Sequence, residues 1–214
     1  MTDKTNKYGY LTDVPQSFRN NKGVFSVNEI NELVADNKWT QYGQLELIET
    51  QTASGTATTL DFTAIKETEY NVHFMTYSNV NATVDVRPIY GRFFESGVLE
   101  TASVYQYAEQ YGYTTPAFGE QKSTADDNFF VSNNTGTGTS EVGNGYFYFY
   151  NLGDSSKYSF GTNHRVHIDN NGTLAMIFGS LVLPQTSTVD GIRIYVPVSG
   201  NLNATVSLYG IRYS

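Results

Sequence analysis

From Gln44 onward, the apolar residues of this chain recur at every second position. "TATTLDFTAI" alternates through Leu60 and Phe62, and "YNVHFMTY" through Tyr70, Val72 and Phe74. The same beat returns in "ATVDVRPIY" through Val84 and Val86, then in "GYFYFYNL", "HRVHID", "TLAMIFGSLVL", "GIRIYVPV" and "ATVSLYGIRY". Successive side chains of a strand point to opposite faces, so a period of two marks a half-buried strand rather than an amphipathic helix. Between these runs lie Gly, Asn and Ser clusters such as "SNNTGTGTSEVGNG" and "DNNG", which carry turn chemistry. Many short strands joined by polar turns predict an all-β protein, a β-sandwich or jelly roll. In the last strand alternation turns Val206 and Leu208 inward, with Ser207 and Tyr209 on the other face, and Gly210 marks a bend or bulge just before Ile211. No period of 20 to 50 residues stands out, which argues against a propeller or solenoid.

The segment before this region reads differently. Residues 1 to about 24 are polar and irregular, with Tyr8, Tyr10, Leu11, Val14 and Phe18 as sparse anchors. Such spacing suits either an extended arm laid on another surface or a disordered tail. In "FSVNEINELVADNKW" one short helix is predicted. Ser26 is a good N-cap, Glu29 stands at the capping-box spacing, and Phe25 with Ile30 can form a hydrophobic staple. Ile30, Leu33 and Val34 then share a face, and Asn37 is a plausible stop. The chain therefore divides into residues 1–42, an arm plus helix, and residues 43–214, the sandwich. The stretch "SVYQYAEQYGYTTPAFGEQKSTADDNFF" reads as a long excursion between strands, broken by Pro116 and Gly119.

Composition narrows the function classes. The net charge of −8, with 13 basic residues scattered among 21 acids, argues against nucleic acid and anionic membranes. There is no cysteine, so disulfides, thiol nucleophiles and zinc-thiolate sites are excluded. The N-terminal residues show no signal-peptide pattern, and the most apolar stretch, from Leu174 to Pro184, is too short for a membrane span. The expectation is a soluble protein made in the cytoplasm. Seventeen Tyr and 13 Phe stand against one Trp. That surplus either covers half-buried sheet faces or feeds an interface.

Catalytic constellations are thin, and no cofactor motif is present. As a strand, "NHRVHIDN" sends His164 and His167 to opposite faces, which disfavours a metal pair. "DNNG" after Ile168 fits a hairpin turn better than a calcium loop built on Asp169. Glu95, Glu100, Glu109 and Glu120 are the carboxylates that a glycan hydrolase on this fold would draw on, but no spacing among them is diagnostic. A carbohydrate-binding module would instead use a row of exposed aromatics, with Tyr105, Tyr107, Tyr111 and Tyr113 as candidates.

Several stretches resemble a known family. "SGTATTLDFTAI" followed by "YNVHFMTYSNVNATVDVRPIY" is similar to the opening strands of lectin-like jelly-roll domains of tailed-phage virion proteins. "TVDGIRIYVPVSGNLNATVSLYGI" resembles the closing pair of the same domains, and "NKGVFSVNEINELVADNKW" the segment that often precedes them. The resemblance covers most of residues 22 to 212, and residues 95 to 140 depart from it. It implies a non-enzymatic virion component: a tail fibre, a tail or neck appendage, or a capsid decoration protein. Its partners would be other virion proteins and further copies of itself, a trimer favoured, with a host-surface glycan as a possible ligand. Such a protein is assembled in the bacterial cytoplasm and ends in the virion. Residues 1 to about 42 would attach it to the particle through Tyr8, Tyr10, Phe18, Phe25 and Trp39.

Overall fold

The computed structural model describes residues 27–35 and 45–211. The chain divides into two units, one of residues 1–44 with 213–214, the other of residues 45–212. In the first unit a helix, α1, spans Val27–Ala35, starting one residue after the expected cap. Ile30 and Leu33 are half-buried while Val27, Asn28, Asn31 and Glu32 are exposed, the three-residue spacing of one helix face. Tyr8, Tyr10, Phe18, Phe25, Ser26, Asn37, Trp39 and Tyr213 lie outside the described residues.

The second unit is a β-sandwich of two antiparallel sheets. The larger has eight strands, in the spatial order β1 (Leu45–Ala57), β13 (Leu202–Ile211), β3 (Val72–Ala82), β9 (Gly143–Tyr150), β10 (Ser159–Ile168), β11 (Leu174–Leu183), β6 (Tyr105–Tyr113) and β7 (Ala117–Asp126). The smaller runs β2 (Thr59–Phe62), β12 (Val189–Tyr195), β4 (Arg87–Glu95) and β5 (Val98–Leu99), with β8 (Phe129–Thr135) also paired to β4. The chain crosses between the sheets repeatedly, in jelly-roll fashion.

Alternation sorts each strand between core and surface. Along β10, residues 159, 161, 163, 165 and 167 are buried, while 160, 162, 164 and 166 are exposed. Phe93 and Phe129 of the smaller sheet meet Phe147 and Phe149 of the larger with ring centroids 5.5–6.0 Å apart. All four are at most 1 % exposed, and aromatic pairs at this range add to the burial of their area.

Three expectations are corrected. The "YQYAEQYGY" stretch is no loop: β6 and β7 form a hairpin on the larger sheet. Its alternation is broken at the inward position 109, which carries a carboxylate, and at the outward positions 108 and 112, which are Ala and Gly rather than polar. Val84 and Val86 belong to no strand: the chain changes sheets there, and Val86 has a φ of +57°. Gly210 marks no bulge; it carries the ladder straight through, paired with Glu46 on one side and His73 on the other. A side chain at Gly210 would collide with the Tyr70 ring, so glycine is there to let that ring lie against the strand.

The closing strand β13 lies inside the sheet, with Val206 and Leu208 fully buried and Ser207 and Tyr209 on the opposite face. Leu208→Ala is expected to lower the unfolding free energy by about 2–5 kcal/mol. Ser207→Ala, one position away on the other face, is expected to cost under about 1 kcal/mol. Urea unfolding of both variants measures the contrast, and equal losses would show that the two faces are not sorted as described.

Candidate functional site

The ladder register lays out a grid on the outward face of the eight-stranded sheet. One row reads Tyr209, Phe74, Tyr148, Thr162 and Ser180 across β13, β3, β9, β10 and β11. The next reads Ser207, Thr76, Tyr146, His164 and Phe178. Cross-strand neighbours on one face lie within reach of each other, and here they touch. The Phe74 ring is 4.6 Å from Tyr148, 5.8 Å from Tyr146 and 6.2 Å from Tyr209, and Tyr146 is 6.0 Å from His164. Beyond this ladder Phe160, Val166, Leu174, Met176 and Phe178 are each at least 40 % exposed. A shallow depression of about 540 Å³ lies among Tyr146, Tyr148, Thr162, His164, Met176 and Phe178.

That face is also free of formal charge over most of its width. The outward residues are Leu45, Leu47, Thr50, Thr52 and Ser54 on β1, and Asn203, Thr205, Ser207, Tyr209 and Ile211 on β13. The outward positions of β3, β9, β10, β11 and β6 bring no Asp, Glu, Lys or Arg either. Charge returns only on the edge strand β7, where Lys122 pairs with Glu120.

The inward face of the same sheet holds the opposite chemistry. Arg165 donates to both oxygens of Glu109, Nη1 to Oε1 at 2.8 Å and Nη2 to Oε2 at 2.6 Å, with both side chains 2 % exposed. Asn163 Nδ2 donates to Glu109 Oε1 at 3.0 Å, and Arg165 Nη1 also donates to the Phe130 carbonyl of the facing sheet at 3.0 Å. Gly179 makes this possible, since a Cβ there would meet the Glu109 side chain at 2.7 Å. Burial raises the Tyr77 hydroxyl pKa, opposed by Arg165. Burial, aided by the Arg165 charge, pushes His167 down from 6.5 to about 4, so this imidazole is neutral in the fold at pH 7. The two histidines of "HRVHID" thus stand on opposite faces, as alternation required, and the turn after them is an Asx-type hairpin. Asp169 accepts from the Asn171 and Thr173 N–H groups at 2.9 and 2.8 Å, with Gly172 at a φ of +75°.

The four glutamates of the hydrolase reading do not share a cleft. Glu109 is in the core and Glu120 on the outward face of β7. Glu95 and Glu100 do meet, beside a shallow hollow of about 580 Å³ that Glu95, Gln185 and Ser187 help to line. Burial, then the neighbouring Glu100, raises the Glu95 carboxyl against a hydrogen bond from Ser187. Burial alone would also raise Glu100. The hydrogen bonds from Ala102 N–H at 2.6 Å, from Glu95 and from Gln185 Nε2 at 3.1 Å outweigh it and hold that carboxyl low. Each of these two carboxyls shifts the other, and neither Glu109 in the core nor Glu120 on β7 stands beside them, so no second pair of carboxylates faces the hollow.

The four tyrosines proposed for glycan contact lie on one face of β6, but with different exposures. Tyr105 is fully buried, its oxygen accepting from the Phe93 N–H at 2.8 Å. Tyr107, Tyr111 and Tyr113 are half-buried. Tyr107 donates to Asp126 at 2.9 Å, and burial pushes its hydroxyl up to about 12. The Tyr111 and Tyr113 rings stand 5.5 Å apart. What sequence reasoning missed was the outward ladder of Phe74, Tyr146, Tyr148 and Tyr209. Its signal was present in "GYFYFYNL", where aromatics occupy both phases of the alternation. Among the described residues no cluster of three or more His, Asp or Glu could hold a metal ion, and no helix is long and apolar enough to cross a membrane.

No family model, curated protein or solved structure matches this chain.

Arg165→Met leaves the Glu109 carboxylate buried without its partner and is expected to cost about 3–5 kcal/mol. Replacing both together with apolar residues of similar volume should recover most of that loss. A double-mutant cycle in urea checks both. His167 gives a pH signature. Its folded pKa of about 4 lies below the unfolded value of 6.5, so the unfolded chain takes up the proton first as pH falls. Its contribution is complete above pH 6.5 and is lost as pH drops towards 4. Unfolding curves across that window should steepen in the wild type and flatten in His167→Gln. Some slope should remain, because burial lowers His73 in the same direction.

Proposed function

We propose that this chain is a non-enzymatic structural protein of a bacteriophage virion, a tail fibre, appendage or capsid decoration protein. It attaches through residues 1–42 and displays the sandwich outward. The observation that carries the reading is the pairing of the stretches that bear the resemblance. "SGTATTLDFTAI" supplies parts of β1 and β2, the closing "GIRIYVPVSGNLNATVSLYGI" supplies β12 and β13, and they are neighbours in both sheets: β1 beside β13, β2 beside β12. A jelly roll whose opening and closing strands lock together in each layer is a self-contained unit for display.

A second reading, adhesion to a host glycan, is favoured by one observation. Tyr107, Tyr111 and Tyr113 share a face of β6, and the register sets Gly119 and Ser123 of β7 opposite Tyr111 and Tyr107. Half-exposed rings, Tyr111 and Tyr113 edge to face, beside the Ser123 position suit the alternating apolar and polar edges of a sugar.

Deleting residues 1–24 is expected to leave the unfolding midpoint of the sandwich unchanged while abolishing its incorporation into particles, followed by sedimentation of assembled virions. A truncated chain that joins particles as well as the full chain removes the attachment reading. Binding on a glycan array that is lost in Tyr111→Ala would favour adhesion instead.

A further inference from the structure

The outward face of the eight-stranded sheet has no role in the attachment proposed above, and the inference drawn from it stands independently of that reading. Its extent is unusual for a surface left in water. Seven adjacent strands at about 4.8 Å spacing, each showing about four outward residues some 6.7 Å apart, span roughly 34 by 25 Å. That projects to about 850 Å², its Ser, Thr, Asn and Gln positions included, against about 800 Å² per partner for a stable interface. The centre of the patch is aromatic, from Tyr209 through Phe74, Tyr148 and Tyr146 to Phe178. Aromatic side chains are the ones enriched where interfaces bury their cores.

Charge decides which partner fits. The protein carries 21 acidic and 13 basic residues, a net −8, so most of its surface repels a second copy. The outward positions from β1 to β6 escape this, because they hold no carboxylate, ammonium or guanidinium group. Two copies brought together here bury no formal charge from these seven strands. A cationic partner would find nothing to pair with on this face, and an acidic one would gain nothing over a second copy. Ser, Thr and Asn between the rings keep short hydrogen-bonding groups in the grid, as in Thr50 with Ser207 at 2.8 Å, so the polar atoms between the rings need not be buried unpaired.

We infer that this face is a self-association surface, covered in solution by a second copy of the same chain packed sheet on sheet. The protein is therefore oligomeric, and the contact is centred on Tyr146, His164 and Phe178. The histidines provide a direct readout. His73 and His167 are buried, at 0 and 3 % exposure, whereas His164 stands outward on the patch. Diethylpyrocarbonate should therefore modify His164 alone in the folded protein, and several-fold more slowly in concentrated solution than after dilution.

The test is sedimentation equilibrium of the full chain alongside Tyr146→Glu and Phe178→Glu, with His164 labelling followed by peptide mass spectrometry. The expected result is an oligomer for the parent chain. Both variants should be monomers with unchanged far-ultraviolet circular dichroism and with His164 labelling at the diluted rate. Neither substitution touches the core, and the labelling of the parent chain needs no variant at all. A parent chain that is monomeric with His164 equally reactive at every concentration overturns the inference, and so does an oligomer that survives both substitutions. Protection of His164 in a monomer by added polysaccharide would give the face to a glycan and overturn it equally.

Discussion

The contact on which this protein rests is the aromatic clasp between its two sheets. Phe93 and Phe129 come from the smaller sheet, Phe147 and Phe149 from the larger, and each ring lies within 6.0 Å of at least two others. Tyr105 joins the cluster 5.9 Å from Phe93 and accepts that residue's backbone N–H at 2.8 Å, so a polar atom in the densest part of the core is satisfied. A sheet buries one face only by finding a second layer, and this cluster holds the layers together.

Away from the clasp the interlayer space turns polar, with Glu109, Asn163, Arg165, Tyr77 and His167 sharing it. A buried ion pair contributes little net stability compared with apolar residues of the same shape, because desolvation offsets the attraction. Its effect is on alternatives. A one-residue slip of β10 would carry Arg165 to solvent and bring His164 or Val166 opposite Glu109, leaving the carboxylate stranded. The pair therefore penalises wrong register in the middle of a sheet whose two faces are both rich in aromatics.

Much of the fold was legible because period two is a local property. The inward placement of Val206 and Leu208, the split of His164 from His167 and the "DNNG" hairpin all followed from alternation or turn chemistry. The β6–β7 hairpin did not, because Glu109 occupies an inward position and its partner Arg165 lies 56 residues away. No local rule makes a carboxylate count as core. Val84 and Val86 erred the other way: three alternating residues carry no information about a chain about to change sheets. Among the tyrosines, spacing put 105, 107, 111 and 113 on one face, but their separation into one buried ring and three half-exposed ones depended on β4 and β8 in the other layer.

The sequence by itself determined which residues stand together on a face, since the geometry of an extended chain does not depend on its surroundings. It also determined that the protein is acidic, cysteine-free and built of strands. Only the tertiary structure decided which of two similar faces became interior. In "GYFYFY" both phases are aromatic, and the choice of Phe147 and Phe149 for the core left Tyr146 and Tyr148 outside. Burial is a property of a pair of surfaces. Whether a face is covered depends on a layer that arrives from elsewhere in the chain, which is why the outward aromatic ladder emerged only when the strands were placed side by side.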